Sequence, residues 1–229
     1  MPPQVVDAAR REKVPSIAYT YSGRIAFYEY MMDTAKIAKS SGIKNVWVTQ
    51  AYINEKPLRE LCNYLDAANV DLKYFNEKTY AEVSAGRLQT VLNSLKILKE
   101  EKVWFEITNL VIPSINDNLD EIREMCRWIV KNLGRDYPLH FSRFHPQYKL
   151  LYLPPTPTST LEDARNIAID EGLKFVYIGN VPGHKGQNTY CPNDGKLLIE
   201  RKGYKIVQNN VEEGHCRYCG EKIAGVWSV

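Results

Sequence analysis

The sequence predicts an α/β protein built on parallel strands, with a small β unit at its C-terminal end held by a cysteine cluster. Three observations carry this. Short runs rich in β-branched and aromatic residues alternate with longer runs of helical periodicity, giving six strands between residues 16 and 178. Alternation of that kind implies parallel strands joined by right-handed crossovers. After Gly179 the helical periodicity stops, and Cys191, Cys216 and Cys219 gather. The first part fits either a doubly wound sheet or part of a barrel, because six units are too few for a complete eight-stranded barrel.

In chain order, Pro3 to Lys13 reads as a short helix ended by Val14-Pro15. Ser16 to Tyr21 is a strand, and Ser22-Gly23-Arg24 is a loop. Ile25 to Ser40 is a helix with Phe27, Met31, Thr34, Ile37 and Ala38 as its buried stripe, ended by Gly42. Asn45 to Thr49 is the second strand, and Lys56 to Tyr64 is a helix with Pro57 in its first turn. Asn69-Val70-Asp71-Leu72-Lys73 is the third strand, followed by helices from Asn76 to Val83 and from Arg87 to Glu101. Val103 to Ile112 is a long fourth strand. Leu119 to Leu133 is an amphipathic helix, with Asn118 and Glu121 in capping-box positions. Leu139 to Phe144 is the fifth strand, and a proline-rich loop runs from His145 to Pro157. Leu161 to Gly172 is a helix capped by Ser159 or Thr160, and Phe175 to Ile178 is the sixth strand.

Composition narrows the function classes. The chain has 229 residues, 44% hydrophobic and 25% charged, which is ordinary for a globular protein. A net charge of +3 gives no case for a nucleic-acid partner. No apolar run approaches the roughly 20 residues that span a bilayer, and the first residues lack the apolar core of a signal peptide. The expected location is the cytoplasm.

Two constellations carry chemistry. Asp71 and Lys73 stand two residues apart on a strand, which puts both side chains on one face. They lie at the carboxyl end of a parallel strand, where ligands sit in such sheets. A charged pair there costs free energy unless it is neutralised or binds something; a structural ion pair at the rim is the competing reading. The second constellation is the C-terminal cluster. Cys216-x-x-Cys219 is a metal knuckle, and Cys191-Pro192-Asn193-Asp194-Gly195 resembles a second, with Asp194 in place of the fourth cysteine. An alternating run from Lys196, a turn at Gly203 and a return strand at Tyr204 to Val207 would join them as a zinc ribbon. Carboxylate oxygen binds zinc, so the ligand set read here is Cys191, Asp194, Cys216 and Cys219, holding a structural zinc, with His184 or His215 as substitutes. A relic ribbon that holds no metal is the alternative. Residues 1–178 and 179–229 are the two domains expected. Cys62 and Cys126, isolated in helical contexts, read as inert buried thiols. Tyr19 and Tyr21 read as core and rim aromatics. No Ser-His-Asp arrangement or phosphate-binding glycine loop is present, so no residue is assigned a catalytic role.

Longer segments carry a resemblance. Asn45-Val46-Trp47-Val48-Thr49, Thr108 to Pro113 with Asn116-Asp117, His140-Phe141-Ser142-Arg143-Phe144-His145-Pro146, Pro154-Pro155-Thr156-Pro157, Gly179-Asn180-Val181-Pro182-Gly183 and Asn188-Thr189-Tyr190-Cys191-Pro192 all match one family. The chain resembles the radical S-adenosylmethionine (SAM) enzyme of the AmmeMemoRadiSam system, itself similar to pyruvate formate-lyase-activating enzymes. The resemblance covers essentially the whole chain but only the back portion of the family's length. It implies a partial (β/α) radical-SAM-type barrel with a zinc-ribbon-like appendage. The family's front portion carries a C-x-x-x-C-x-x-C loop whose thiolates hold a [4Fe–4S] cluster, and no such motif occurs here. A six-strand barrel lacking its first strand needs one of the six strands read above to lie outside the barrel, or one of those strand readings to be wrong.

By the same resemblance, SAM contacts fall at Thr49, Gln50, Asp71, Lys73, Thr108, Asn109 and His145. Asp71 would accept from a ribose hydroxyl or an ammonium, Lys73 would meet a carboxylate, and His145 would lie near the adenine or sulfonium. Several motif positions depart from the family. Ser22-Gly23-Arg24 replaces a Ser-Glu-Pro-like run, Gln50-Ala51-Tyr52 replaces Asn-Gly-Tyr, Ser84-Ala85-Gly86-Arg87 replaces Cys-Gly-Gly-Arg, and Asp194 replaces a ribbon cysteine. The expectation is a chain inactive alone, with SAM and the [4Fe–4S] cluster bound only when a missing N-terminal part completes it. The partner would be a separate N-terminal half, a protein covering the barrel's open edge, or a second copy. A non-catalytic binding or scaffolding subunit is the alternative, and a nucleic-acid-binding ribbon is least expected.

Overall fold

The computed structural model describes residues 1–20 and 27–227. In chain order the elements are α1 (Pro2–Arg11), β1 (Ser16–Tyr19), α2 (Tyr28–Ser40), β2 (Lys44–Thr49), α3 (Glu55–Cys62), β3 (Ala67–Asp71), α4 (Glu77–Ser84) and α5 (Leu88–Glu100). There follow β4 (Trp104–Val111), α6 (Leu119–Asn132), β5 (Leu139–Arg143), α7 (Thr158–Asp170) and β6 (Val176–Gly179). Five short strands end the chain: β7 (Thr189–Tyr190), β8 (Leu197–Lys202), β9 (Lys205–Asn209), β10 (Val211–Glu212) and β11 (His215–Cys216). β1 to β6 form one six-stranded sheet in chain order, the parallel sheet that the alternation predicts. All six strands read from the sequence are in it, so none stands outside, because every crossover is long enough for each strand to pair with the next. β7-β8-β9 and β10-β11 are small antiparallel sheets, as a ribbon requires. Among the described residues no helix is long and apolar enough to cross a membrane.

The chain divides into two compact units, Met1–Leu72 with Gly86–Glu106, and Lys73–Ala85 with Ile107–Ser228. In the first, β2 turns Asn45, Trp47 and Thr49 inward under helices and leaves Val46 and Val48 half-buried on the other face. The inward face is identified by Asn45, whose Nδ2 donates to the Ala35 carbonyl of α2 and to the Tyr64 carbonyl, both at 3.0 Å. β3 follows the same period, with Ala68 and Val70 buried and Asn69 and Asp71 opposite. Val6 and Ala9 of α1 pack on Ala38 and Ile43, with Ile17 and Ile37 against them.

In the second unit β4 buries Ile107, Asn109 and Val111, β5 buries Leu139 and Phe141, and β6 buries Val176 and Ile178. Burying a side chain such as Phe141 contributes about 1.5–3 kcal/mol. The other face carries Thr108, His140 and Tyr177, which register pairing places in one row across three strands.

Several local expectations change. Phe27 precedes α2 and is 64% exposed, so the buried stripe of that helix is Met31, Thr34, Ala35 and Ala38. The Asn118 side chain caps α6 by accepting from the N–H groups of Asp120 and Glu121. Glu121 leaves the capping box and accepts from Asn76 Nδ2 at 3.0 Å. α7 starts at Thr158 behind Pro157, which puts Ser159 and Thr160 inside its first turn without a capping bond. Tyr21, the Ser22-Gly23-Arg24 loop and the start of the helix read from Ile25 lie outside the described residues.

Ala85 ends α4 in the left-handed conformation (φ +49°), and its N–H bonds to the Tyr80 carbonyl. Ala51 is also left-handed, at φ +49°. A Cβ in that region costs about 1–2 kcal/mol, and both alanines stand where the resembled family has glycine. Ala85→Gly at this exposed cap should stabilise the chain by about 0.5–1 kcal/mol, since the strain relieved exceeds the chain entropy glycine adds. Thermal melts would show the midpoint rising by a few degrees; a fall would contradict the strain.

Candidate functional site

The residues singled out for a cofactor separate by face. Asp71 and Thr108 are half-buried on the face of their strands away from the helices; β3 ends at Asp71, so Lys73, read from the sequence as the strand's last residue, is half-buried two residues beyond it. Gln50 and His145 are exposed, each just past a strand end. Thr49 and Asn109 are buried and turn the other way, as adjacent strand residues must. Their hydroxyl and amide hold backbone. Thr49 Oγ1 accepts from the Ala51 N–H at 2.9 Å, and the Ala51 carbonyl accepts from Ser94 Oγ at 2.7 Å. The turn after β2, with Gln50 at its tip, is thereby fixed within the first unit.

Lys73 is fixed in the second unit through its own backbone. Its carbonyl accepts from Asn116 Nδ2 at 2.7 Å and from Asn109 Nδ2 at 3.2 Å, and its N–H donates to Tyr80 Oη at 3.2 Å. Asn116, 5% exposed, also donates to the Leu110 carbonyl at 2.9 Å and accepts from the Ile112 N–H at 2.6 Å. Thr156 does similar work further on. Buried in the proline-rich loop, it donates to the Val111 carbonyl at 2.6 Å and accepts from the Phe144 N–H at 2.9 Å. These bonds tie the ends of β4 and β5 to the loop that ends at α7. Asn116 and Thr156 lie inside matched segments, but no local pattern in the sequence marks either as a clamp, since their partners are distant carbonyls.

The ribbon gathers one donor atom from each of Cys191, Asp194, Cys216 and Cys219, all within 4.8 Å of one another. The Cys191 and Cys219 Sγ atoms are 3.6 Å apart. Ligands around one tetrahedral zinc stand about 3.5–3.8 Å apart, so the set suits a single ion. Cys191 and Cys216 are also core residues, packed with Phe175, Leu198, Ile199 and Ile223. Burial pushes the Cys191 thiol up to about 12, while the Glu221 N–H and the Asn193 side chain hold exposed Cys219 below the usual thiol value. Asp194 is set in place by the Lys196 N–H at 3.1 Å. The histidine substitutes are occupied elsewhere. His184 Nδ1 accepts from the Gly186 N–H and its Nε2 meets Glu162 at 3.0 Å; His215 Nδ1 lies 2.9 Å from the Glu213 carbonyl.

The remaining cysteines do not fit an iron–sulfur cluster. Cys62 and Cys126 are buried in α3 and α6, burial pushes both thiols up to about 12, and neither belongs to the one group of converging metal-donor atoms found among the described residues. The three ribbon cysteines converge on one ion's coordination shell. Tyr19 is a packing residue whose hydroxyl donates to Asn45 Oδ1 at 2.8 Å, and burial raises its phenol.

Comparison with known proteins fits this geometry. A domain of pyruvate-formate lyase-activating enzyme from Bacteroides vulgatus superposes with a TM-score of 0.63 at 14% identity, over 72% of this chain and 99% of that one. A radical SAM methyltransferase from Sphaerobacter thermophilus gives 0.63 at 14% identity, over 82% and 60%. SuiB from Streptococcus suis gives 0.62 at 11%, over 77% and 42%. The fold is that of radical SAM enzymes. In sequence, the uncharacterized protein MJ0808 of Methanocaldococcus jannaschii is 50% identical over 224 residues, 97% of this chain. The chain spans 66% of that relative's length. No family model matches.

Asn116→Ala should destabilise the second unit by about 2–3 kcal/mol, because it leaves a buried N–H and two carbonyls without this partner. Hydrogen exchange would show faster exchange at the Ile112 N–H, which donates to Asn116 Oδ1. Unchanged protection at Ile112 would contradict the clamp.

Proposed function

We propose that these residues form the cofactor- and substrate-holding portion of a radical SAM-type barrel, with the [4Fe–4S] cluster held by polypeptide outside them. The observation that supports this most is the two-faced parallel sheet, whose non-helical face carries Asp71 and Thr108 toward the carboxyl ends of their strands, with Lys73 two residues beyond β3. SAM supplies the radical chemistry when bound against a cluster. The residues present have the donor and acceptor chemistry to hold SAM. Asp71 accepts from a ribose hydroxyl or the ammonium, Lys73 meets the carboxylate, and Gln50 and His145 contact it from the loops. Thr49 and Asn109 serve by fixing the backbone at Ala51 and Lys73. The ribbon holds one structural ion, zinc by ligand type.

The cluster-bearing polypeptide is proposed to pair with β1. That strand is the edge of the sheet, beside an apolar groove of about 270 Å³ lined by Val5, Ile17, Phe27, Tyr30 and Met31. An open parallel edge next to exposed apolar surface invites a further strand.

The test adds the remainder of the M. jannaschii relative, as a fusion or in trans, under anaerobic iron–sulfur reconstitution. 5′-Deoxyadenosine should form from SAM and reductant with the added segment and not with the chain alone. Formation by the chain alone would overturn the reading. A well-formed complex that yields none would favour a scaffolding subunit.

A further inference from the structure

Arg201 on β8 is a positioned cation without an acidic neighbour. The residue is half-buried, and among the described residues no carboxylate lies within 4.0 Å of its guanidinium. Arg59, Arg123 and Arg127 have glutamate partners, whereas Arg143 and Arg165 each donate from Nε to a backbone carbonyl, so at those two the Nε–Nη2 edge is engaged. Arg201 is held instead by neutral groups. Its Nη1 donates to the Gln187 carbonyl at 3.1 Å and to Thr189 Oγ1 at 2.9 Å. Its Cζ lies 5.7 Å from the centroid of the Tyr177 ring, over its face. Tyr177 is fixed in turn, its hydroxyl 2.9 Å from Thr189 Oγ1 and its ring stacked on His140 at 4.9 Å and 21°. One edge of the guanidinium is therefore anchored, leaving the Nε–Nη2 edge with no acceptor from the described residues.

A partly desolvated cation without a counter-ion costs free energy, and a guanidinium locked in plane is a preorganised fork for two oxygens. The fork stands at Tyr177, the end of the row Thr108, His140 and Tyr177 on the sheet face away from the helices. We propose that the free edge of Arg201 seats a carboxylate of the substrate. This rests on the barrel reading and deepens it, because it makes the substrate a carboxylate-bearing molecule held by the ribbon.

The test uses the full chain uniformly labelled with ¹⁵N. The Arg201 Nε–Hε resonance, assigned by its loss in Arg201→Lys, is followed during titration with sodium acetate at constant ionic strength, and separately with phosphate. The expected result is a saturating shift with acetate, at least tenfold tighter than at exposed Arg11 and Arg87, and weaker binding of phosphate. In Arg201→Lys, which keeps the charge but not the fork, acetate should perturb the neighbouring Tyr177 and Thr189 signals at least tenfold less, with the rest of the spectrum unchanged. A linear shift matching Arg11, or tighter binding of phosphate than acetate, would overturn the assignment. The readout needs no SAM cleavage, so its failure and that of the barrel reading are separable.

Discussion

Parallel strands usually bury both faces, and the strands of this sheet bury one. From β2 to β6 a fully buried residue alternates with a half-buried one, and the buried set faces helices. The apolar phase of that alternation supplies Trp47, Val70, Ile107, Phe141 and Ile178 to the core. The other phase is left with Asn69, Asp71, Thr108, His140 and Tyr177, which an apolar core could not accept without partners. A parallel sheet with one polar, half-open face is suited to hold a ligand there, and the ends of its strands are where ligand contacts concentrate.

Buried polar residues serve that face from behind. Thr49, Asn109, Asn116 and Thr156 bond to backbone carbonyls and N–H groups at strand ends. They hold the strand ends in shape and are themselves satisfied while buried, through bonds to the backbone of 2.6–3.2 Å. The ribbon works differently. Its core is small, and two of its four candidate ligands, Cys191 and Cys216, belong to that core. An ion there would bind together the parts that surround Phe175 and Tyr177, so metal and packing are one constraint.

Much of the fold is legible in the sequence because local signals agree with it. Strand runs alternate with helical runs, Asn118 is a cap by chemistry, and Gly42 and Gly203 fall where φ is positive. The period of two puts Asp71 and Lys73 on one face of an extended strand, and β3 ends at Asp71. The same rule separates Thr108 from Asn109 and Thr49 from Gln50, since neighbours on a strand point oppositely. The clamps at Asn116 and Thr156 are illegible because their partners lie far away in the chain or on backbone carbonyls, which leave no trace in side-chain spacing. Glu121 has the spacing of half a capping box, and a residue 45 positions away takes it instead. In the ribbon, spacing names four candidate ligands, and the structure brings one donor atom of each within 4.8 Å of the others.

On the function proposed above, these residues supply a ligand-holding face and a ribbon for one ion, with the cluster held elsewhere. Metal counting on the chain purified anaerobically with iron and sulfide supplied tests it most directly. About one zinc per chain and essentially no iron are expected, since among the described residues only the ribbon offers converging ligands. About four irons with matching sulfide per chain would contradict it, because a cluster would then have formed on cysteines whose burial and spacing argue against it.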